Sequence, residues 1–154
     1  MKPGVFSQLY IHLVFSPKNR DALLNQQIEN TLFPYIGQLI TNKGHKSINI
    51  NGMPDHIHIL LGLNPKQAIS DLTADIKRSS SLYINDQKML RGNFNWQDGY
   101  GAFSYSRSHL NNIYEYIRNQ KDHHKKQTFK EEYMEMLKKF DIEFKEEYLF
   151  EFFE

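Results

Sequence analysis

The fold of this 154-residue chain can be worked out from the stretch GMPDHIHILLGL, residues 52–63. Its first four residues include glycine, proline and aspartate, which favour turns. The stretches on either side, HKSINING and HIHILLGL, have the length and composition of strands. We therefore predict a β-hairpin whose second strand carries two histidines one residue apart.

The segment before the hairpin predicts a strand and then a helix. Apolar residues alternate in QLYIHLVF, residues 8–15, which is typical of a strand with one face on the core. Apolar residues at three- and four-residue spacings then predict a helix over about 21–42. Lys43-Gly44 has the composition of its end, and Pro34 within it predicts a kink or a short break.

The segment after the hairpin completes the pattern. Asn64-Pro65 has the composition of a helix start, and the apolar periodicity continues through Ile76 toward Tyr83. NFNWQDGYGAFSYS, residues 93–106, predicts a strand, a glycine-rich bend and another strand. The order β-α-β-β-α-β indicates a ferredoxin-like, or RRM-like, α+β fold: an antiparallel sheet with helices on one face. The other face then needs a cover or a ligand.

Further helices are predicted beyond this unit, at about residues 107–124 and 128–140. The tail, residues 141–154, is acidic but rich in Phe and Tyr, so we expect it to dock on the body of the protein. No repeat or linker divides the chain. Its length suits a single domain that spans residues 1–154.

Composition and charge limit the classes of protein. The chain has no cysteine, which excludes disulfides and thiolate metal sites. It has no apolar run long enough to cross a bilayer and no recognisable signal peptide, so we expect a cytoplasmic protein. Residues 131–154 hold nine acidic side chains against three lysines, whereas residues 1–130 hold sixteen Lys and Arg against nine Asp and Glu. A basic body suits a polyanionic ligand, although unevenly distributed surface charge explains the asymmetry equally well.

The histidine pair is the first candidate site. On a strand, His56 and His58 share one face, opposite Ile57 and Ile59. Two imidazoles placed in this way could converge on one metal ion, but two hydrogen-bonded surface histidines would give the same pattern. Asp55, directly before the pair, could orient one of the rings or simply belong to the turn.

A second candidate group lies in NNIYEYIRNQKDHH, residues 111–124. Tyr116 and Gln120 are four residues apart, so on a helix they stack on one face, at the edge of its apolar stripe. This spacing by itself also fits an ordinary amphipathic helix. Its interest lies in its combination with the histidine pair, which lacks a third ligand.

These motifs resemble those of a known family. The combination of MPDHIHILL, FNWQDGYGAFSYS and YIRNQKDHH, in this order and at these distances, resembles the single-tyrosine HUH transposases of the insertion sequence 200/605 family. HLVFSPKNR in the first strand and HHKKQTFKEEYMEML near the C-terminus are also similar to that family. The resemblance extends over about residues 5–149, with no departure at the positions that would carry the chemistry.

The resemblance implies a site and a reaction. His56, His58 and Gln120 would hold a divalent metal ion, Mg²⁺ or Mn²⁺, and Tyr116 would attack a phosphodiester of single-stranded DNA. The resulting 5′-phosphotyrosine would retain the bond energy for rejoining to another strand. The family further implies recognition of hairpin ends and a homodimer with active sites shared between protomers. From the lack of a long apolar run we also expect no membrane partner.

Basic residues supply candidate contacts to DNA phosphates, although solvated surface is an equally valid interpretation of each one. They are Lys77, Arg78, Arg118, Lys121, Lys125 and Lys126.

Two other functions stay open at this point. One is a non-catalytic nucleic-acid binder that reads RNA or DNA with its sheet, as RRM-type modules do. Such modules usually carry aromatic residues where this chain has histidines, and they have no use for the Tyr116–Gln120 pair. The other is a domesticated relative with the same chemistry that acts on repetitive palindromes.

Overall fold

A computed structural model of the chain describes residues 4–19, 23–123 and 126–153. Its centre is an antiparallel sheet with the strand order β2-β3-β1-β4. This order and the alternation of strands and helices confirm the predicted ferredoxin-like α+β fold. The strands are β1 (Tyr10–Phe15), β2 (Lys46–Met53), β3 (His56–Gly62) and β4 (Gly101–Tyr105).

The predicted hairpin is confirmed, with Pro54 and Asp55 as the turn between β2 and β3. Gly52 faces the backbone of the partner strand so closely that a Cβ atom there would come within 2.3 Å of the His56 carbonyl oxygen. The hairpin can therefore close so tightly only because residue 52 has no side chain.

Helix α1 (Gln26–Asn42) begins at a different residue from the prediction and is continuous across Pro34. The side chain of Asn25 caps its start by accepting a hydrogen bond from the Ile28 amide at 2.8 Å. At its end, Gly44 has a positive φ, and the amides of Gly44 and His45 donate to the carbonyls of Thr41 and Ile40. This is the glycine-terminated helix end that the sequence predicts.

Helix α2 (Ile69–Asp86) and the segment after it differ from the prediction. The side chain of Asn64 accepts a hydrogen bond from the Lys66 amide at 3.0 Å, so it caps a turn before α2 rather than α2 itself. In residues 93–106 only β4 is a strand. The extended part that precedes it makes a single β-bridge, between Trp96 and Pro17.

The two faces of the sheet are covered by different helices. Ile57 and Ile59 pack in one core cluster with apolar residues of α1 and α2. On the opposite face, Leu60 packs with Ile113 and Ile117 of the helix α3 (Leu110–Arg118). The helices α4 (Gln120–His123) and α5 (Phe129–Lys139) continue this second layer. The sequence did not indicate what covers this face of the sheet. Because the second helical layer covers it, β1 is buried on both faces, whereas the prediction was one buried face.

The C-terminal tail docks on the body, as predicted. The ring of Phe150 is buried with its centroid 5.1 Å from that of Tyr133 on α5. The Glu151 amide donates to the side chain of Gln97 at 2.7 Å. Within the described residues, no helix combines the length and the hydropathy needed to cross a membrane.

Candidate functional site

The two histidines of β3 form the base of a buried polar cluster. His56 and His58 are both fully buried, and their ring centroids are 5.0 Å apart. The alternation of β3 directs them away from the α1–α2 core toward the second helical layer. The ring of His56 also stacks on Phe129 of α5, with centroids 4.1 Å apart.

The outer nitrogen of each imidazole is held by a neighbouring side chain. His56 Nδ1 lies 2.7 Å from Asp55 Oδ1, and His58 Nδ1 lies 2.7 Å from the Nε2 of His12 on β1. The ring of His12 stacks on that of His58, and its own buried Nδ1 has no hydrogen-bond partner among the described residues. These contacts leave the Nε2 atoms of both β3 histidines directed into the cluster.

A carboxylate from α5 occupies the middle of the cluster. Glu132 Oε1 lies 3.2 Å from His56 Nε2 and 3.3 Å from His58 Nε2. Glu132 was not among the site residues predicted from the sequence. The signal that could have found it is an acidic residue on a helix face otherwise made of Phe129, Tyr133 and Met136, which are also buried.

Tyr116 and Gln120 reach the other oxygen of the same carboxylate. The Tyr116 hydroxyl donates a very short hydrogen bond to Glu132 Oε2, and Gln120 Nε2 donates to that oxygen at 2.9 Å. Gln120 Oε1 lies 3.1 Å from His56 Nε2. The two oxygens of Glu132 therefore divide their contacts, since Oε1 faces the histidines and Oε2 faces the tyrosine and the amide.

The helix that carries Tyr116 and Gln120 is not the continuous one predicted over residues 107–124. A 3₁₀ turn at Arg107–His109 leads into α3, which ends at Arg118, and α4 begins at Gln120. Asn51 of β2 donates to the carbonyls of Ile117 at 3.0 Å and Arg118 at 3.1 Å, acceptors that the end of α3 would otherwise leave unpaired. The two side chains still converge in spite of this break.

Burial and mutual contacts set the protonation states of the cluster. Burial alone would lower the pKa of His56, but Asp55 and Glu132 outweigh it and raise that pKa to about 9. Burial alone would raise the pKa of Glu132, but its hydrogen bonds with His56 and His58 hold that pKa well below its ordinary range. Burial lowers the pKa of His58. The cluster therefore contains a carboxylate, one imidazolium and one neutral imidazole.

Tyr116 is a phenol in this environment. Burial and then the negative charge of Glu132 raise its pKa well above the ordinary value. A free phenolate does not form beside a carboxylate, because the two negative charges would repel each other in a poorly solvated site. Its proton is held instead in the hydrogen bond to Glu132 Oε2.

The donor atoms fit a divalent metal ion. Ligand atoms of His56, His58 and Glu132 lie within 4.8 Å of one another, and all three side chains are buried. Once His56 gives up its proton, two imidazole nitrogens, a carboxylate oxygen and the nearby amide oxygen of Gln120 form a mixed nitrogen–oxygen set that could hold a divalent ion.

The basic residues predicted to contact DNA fall into three groups. Lys77 donates to the carbonyl of Gln97 at 2.8 Å, and Lys121 contacts the buried carboxylate of Glu29 at 2.8 Å, so both ammonium groups have partners within the protein. The second group is exposed on the surface: Arg78, Arg118 and Lys126. Lys125 lies outside the described residues.

The matching family model decides the family. It is described as "Transposase IS200 like", and it matches residues 5–120. The chain belongs to the IS200-like transposase family. Its activity class is therefore DNA transposition, and the predicted resemblance is confirmed. The matched residues include the histidine pair, Tyr116 and Gln120, whereas α5 with Glu132 lies beyond them.

Individual relatives and solved structures agree with this family. The ISDra2 transposase TnpA of Deinococcus radiodurans is 29% identical over 124 residues, which cover 77% of this chain and 89% of that protein. The transposase of insertion sequence element IS200 from Salmonella typhimurium is 29% identical over 76 residues, about half of each chain. A crystal structure assigned as a transposase of D. radiodurans R1 has a TM-score of 0.62 and 26% identity, covering 78% of this transposase and 96% of that chain.

A more distant structure shares the fold alone. It is a REP-associated tyrosine transposase bound to a REP hairpin, with a TM-score of 0.58 and 16% identity. The match covers 80% of this chain and 74% of that chain.

Proposed function

We propose that this transposase cleaves and rejoins single-stranded DNA through a covalent link between Tyr116 and a DNA 5′-phosphate. The observation that carries the proposal is the convergence of the Tyr116 hydroxyl, His56 and His58 on the carboxylate of Glu132. Structural ion pairs can also be buried, but they need neither a phenol nor two imidazoles directed at one point. A phenol, two imidazoles and a carboxylate at one point are the groups that a metal-assisted attack on a phosphodiester needs.

The residues that would hold the divalent metal are His56 and His58, with oxygen atoms from Gln120 and Glu132. When bound there, Mg²⁺ or Mn²⁺ would withdraw charge from a non-bridging oxygen of the scissile phosphate. Asp55 and His12 would keep the two imidazoles in orientation by holding their outer nitrogens.

Tyr116 would act as the nucleophile. A bond forms between its phenolic oxygen and phosphorus, and the bond between phosphorus and the 3′-oxygen of the upstream nucleotide breaks. The phenolic proton passes to Glu132 Oε2, and the departing 3′-oxygen takes a proton from water. The 3′-hydroxyl of another strand can then attack the phosphotyrosine in the reverse sense, so rejoining needs no external energy source.

Membership of the family supports three further parts of the proposal. The substrate strand would carry hairpin ends, the active form would be a homodimer, and the protein would work in the cytoplasm. In the structure Tyr116 lies beside the histidines of its own chain. Asn51, together with the contact between Lys121 and Glu29, holds α3 and α4 on their own sheet.

Formation of a covalent adduct tests the reaction. Purified protein is mixed with labelled single-stranded oligonucleotides that tile the DNA on both sides of its gene, in the presence of Mn²⁺ or Mg²⁺. We expect an adduct that survives denaturation, and that is lost with EDTA or with Tyr116→Phe. The matched control is Tyr114→Phe, which changes an exposed tyrosine of the same helix and should leave the adduct intact. An adduct formed by Tyr116→Phe would refute the assignment, and no adduct on any strand would favour a non-catalytic binder.

Mixing two inactive variants tests whether sites are shared between protomers. Tyr116→Phe and His56→Ala chains are mixed, unfolded together and refolded. Recovery of adduct formation would show that one protomer supplies the histidines and its partner the tyrosine. Absence of recovery, with each variant folded and dimeric, would show that each site is built from one chain, as the structure has it.

A further inference from the structure

A cavity of about 440 Å³ opens between α3 and α5 and reaches the reactive groups. We name it the α3–α5 cleft. Its size lies within the range typical of small-ligand sites, about 300–1,000 Å³. Its lining residues include Tyr105, Asn112, Tyr116, Glu132, Lys139 and Phe140.

On its other sides the cluster is packed against described residues. His56 is fully buried against Phe129, and His58 is fully buried against His12. Gln120 is 1% exposed. Two larger cavities, of about 850 Å³ and 530 Å³, are lined by neither Tyr116 nor Glu132. Among the described residues, the α3–α5 cleft is therefore the opening that leads a phosphodiester to the Tyr116 hydroxyl.

The walls of the cleft have the chemistry of a nucleoside site. Tyr105 and Phe140 provide aromatic surface, with ring centroids 5.4 Å apart, and aromatic side chains stack on DNA bases of any sequence. Asn112 offers an amide that can both donate to and accept from a base edge. The charges of Lys139 and Glu135 at its rim are opposite, so the cleft suits a base and its sugar better than a row of phosphates.

We propose that the α3–α5 cleft binds the deoxynucleoside that adjoins the scissile phosphate. Its base packs on Tyr105 and Phe140, its edge meets the amide of Asn112, and Lys139 contacts a neighbouring phosphate. The proposal rests on the proposed function, because it takes Tyr116 as the group that the scissile phosphate must reach. According to this proposal, side chains of the cleft recognise one nucleotide at the cleavage point.

Abasic substitution combined with Asn112→Ala tests the proposal. The probe is an oligonucleotide that the wild-type protein converts to an adduct, with an abasic site placed on either side of the cleaved bond. At one of the two positions we expect the abasic site to raise KM by roughly tenfold, and Asn112→Ala to do the same on the intact strand. Because both changes remove the same contact, their combination should cost little more than either alone.

Matched variants separate a cleft contact from a general effect on the helix. Asn111→Ala alters the preceding exposed residue of α3, and Lys138→Ala alters the exposed neighbour of Lys139 on α5. We expect both to behave like wild type, and Lys139→Ala to weaken binding of the strand and to reduce the salt dependence of that binding.

The outcomes distinguish the two proposals. If the intact strand forms an adduct but both abasic sites, Asn112→Ala and Lys139→Ala all leave KM unchanged, the cleft is not the nucleoside site and the proposed function stands. Fully additive effects of the abasic site and Asn112→Ala would also overturn the assignment. Absence of an adduct with wild-type protein on every strand would refute the proposed function itself.

Discussion

The β2–β3 hairpin and the helix α5 both supply the reactive cluster, but they do so in different ways. The hairpin carries Asp55, His56 and His58 within four consecutive residues, and a period of two places both imidazoles on one face. Helix α5 contributes one buried carboxylate, Glu132, from a position 74 residues further along the chain than His58. The hairpin also lies within residues 5–120, which match the family, whereas α5 does not.

The difference shows how local and tertiary information combine in one site. The position of the histidines follows from their own strand, so a sequence pattern identifies them. Glu132 reaches them only because α5 packs across the open face of the sheet. In that packing the Tyr133 hydroxyl of α5 lies so close to Gly101 on β4 that a Cβ atom there would come within 2.8 Å of it. The comparison can be tested by perturbing each region in turn.

Removal of one histidine should have the largest effect. His58→Ala deletes one of the two proposed nitrogen ligands, so we expect Mn²⁺ binding and adduct formation both to fall below detection. Mn²⁺ binding is measured by electron paramagnetic resonance, and folding by circular dichroism. Retention of wild-type Mn²⁺ affinity by folded His58→Ala would show that the hairpin does not hold the metal.

Substitution of Glu132 should have the next largest effect. Glu132→Gln keeps the shape but removes the charge and the proton acceptor for Tyr116, so we expect adduct formation to slow by about 10²-fold or more. Glu131→Gln is the matched control, because this exposed neighbour caps the start of α5 and glutamine can keep that cap. If the two variants react equally fast, α5 is a cover for the site and not part of it.

The ionic coupling between the hairpin and α5 should appear as a pH dependence of stability. The pKa of His56 is about 9 in the folded protein against an ordinary 6.5. Its protonation therefore contributes stability that is fully present below pH 6.5 and is lost as the pH rises through 9. The loss in the free energy of unfolding should be about 3 kcal/mol.

Urea unfolding in EDTA across this pH range measures that loss. Glu132→Gln should reduce it, because the glutamine no longer stabilises the imidazolium. A free energy of unfolding that is constant from pH 6.5 to 9 would show that Glu132 and His56 are not coupled.

Substitution of His12, the β1 residue that contacts the hairpin at His58, should have the smallest effect. His12→Phe leaves the outer nitrogen of His58 buried without a partner, so we expect Mn²⁺ affinity to fall by about 10–100-fold. His12→Gln should restore part of that affinity, because its amide can again pair with the imidazole. Equal affinities for both variants and wild type would show that His12 only fills space beside His58.

Much of the fold could be predicted because its signals are local. The alternation of β1, the turn at Pro54-Asp55 and the glycine at the end of α1 each depend on a few consecutive residues. The predictions were wrong where the local sequence was compatible with more than one structure. Asn64 caps a turn instead of α2, and the helix of Tyr116 breaks at Asn119, where Asn51 of β2 takes up the exposed carbonyls.

The sequence by itself determined the β-α-β-β-α-β order of the fold, the shared face of His56 and His58, and the family. Periodicity and motif spacing are properties of neighbouring residues, so they need no knowledge of the rest of the chain. Only the tertiary structure decided what covers the second face of the sheet. It brought Glu132 between the histidines and Tyr116, and it placed His12 behind His58, because contacts between distant segments depend on how whole layers pack.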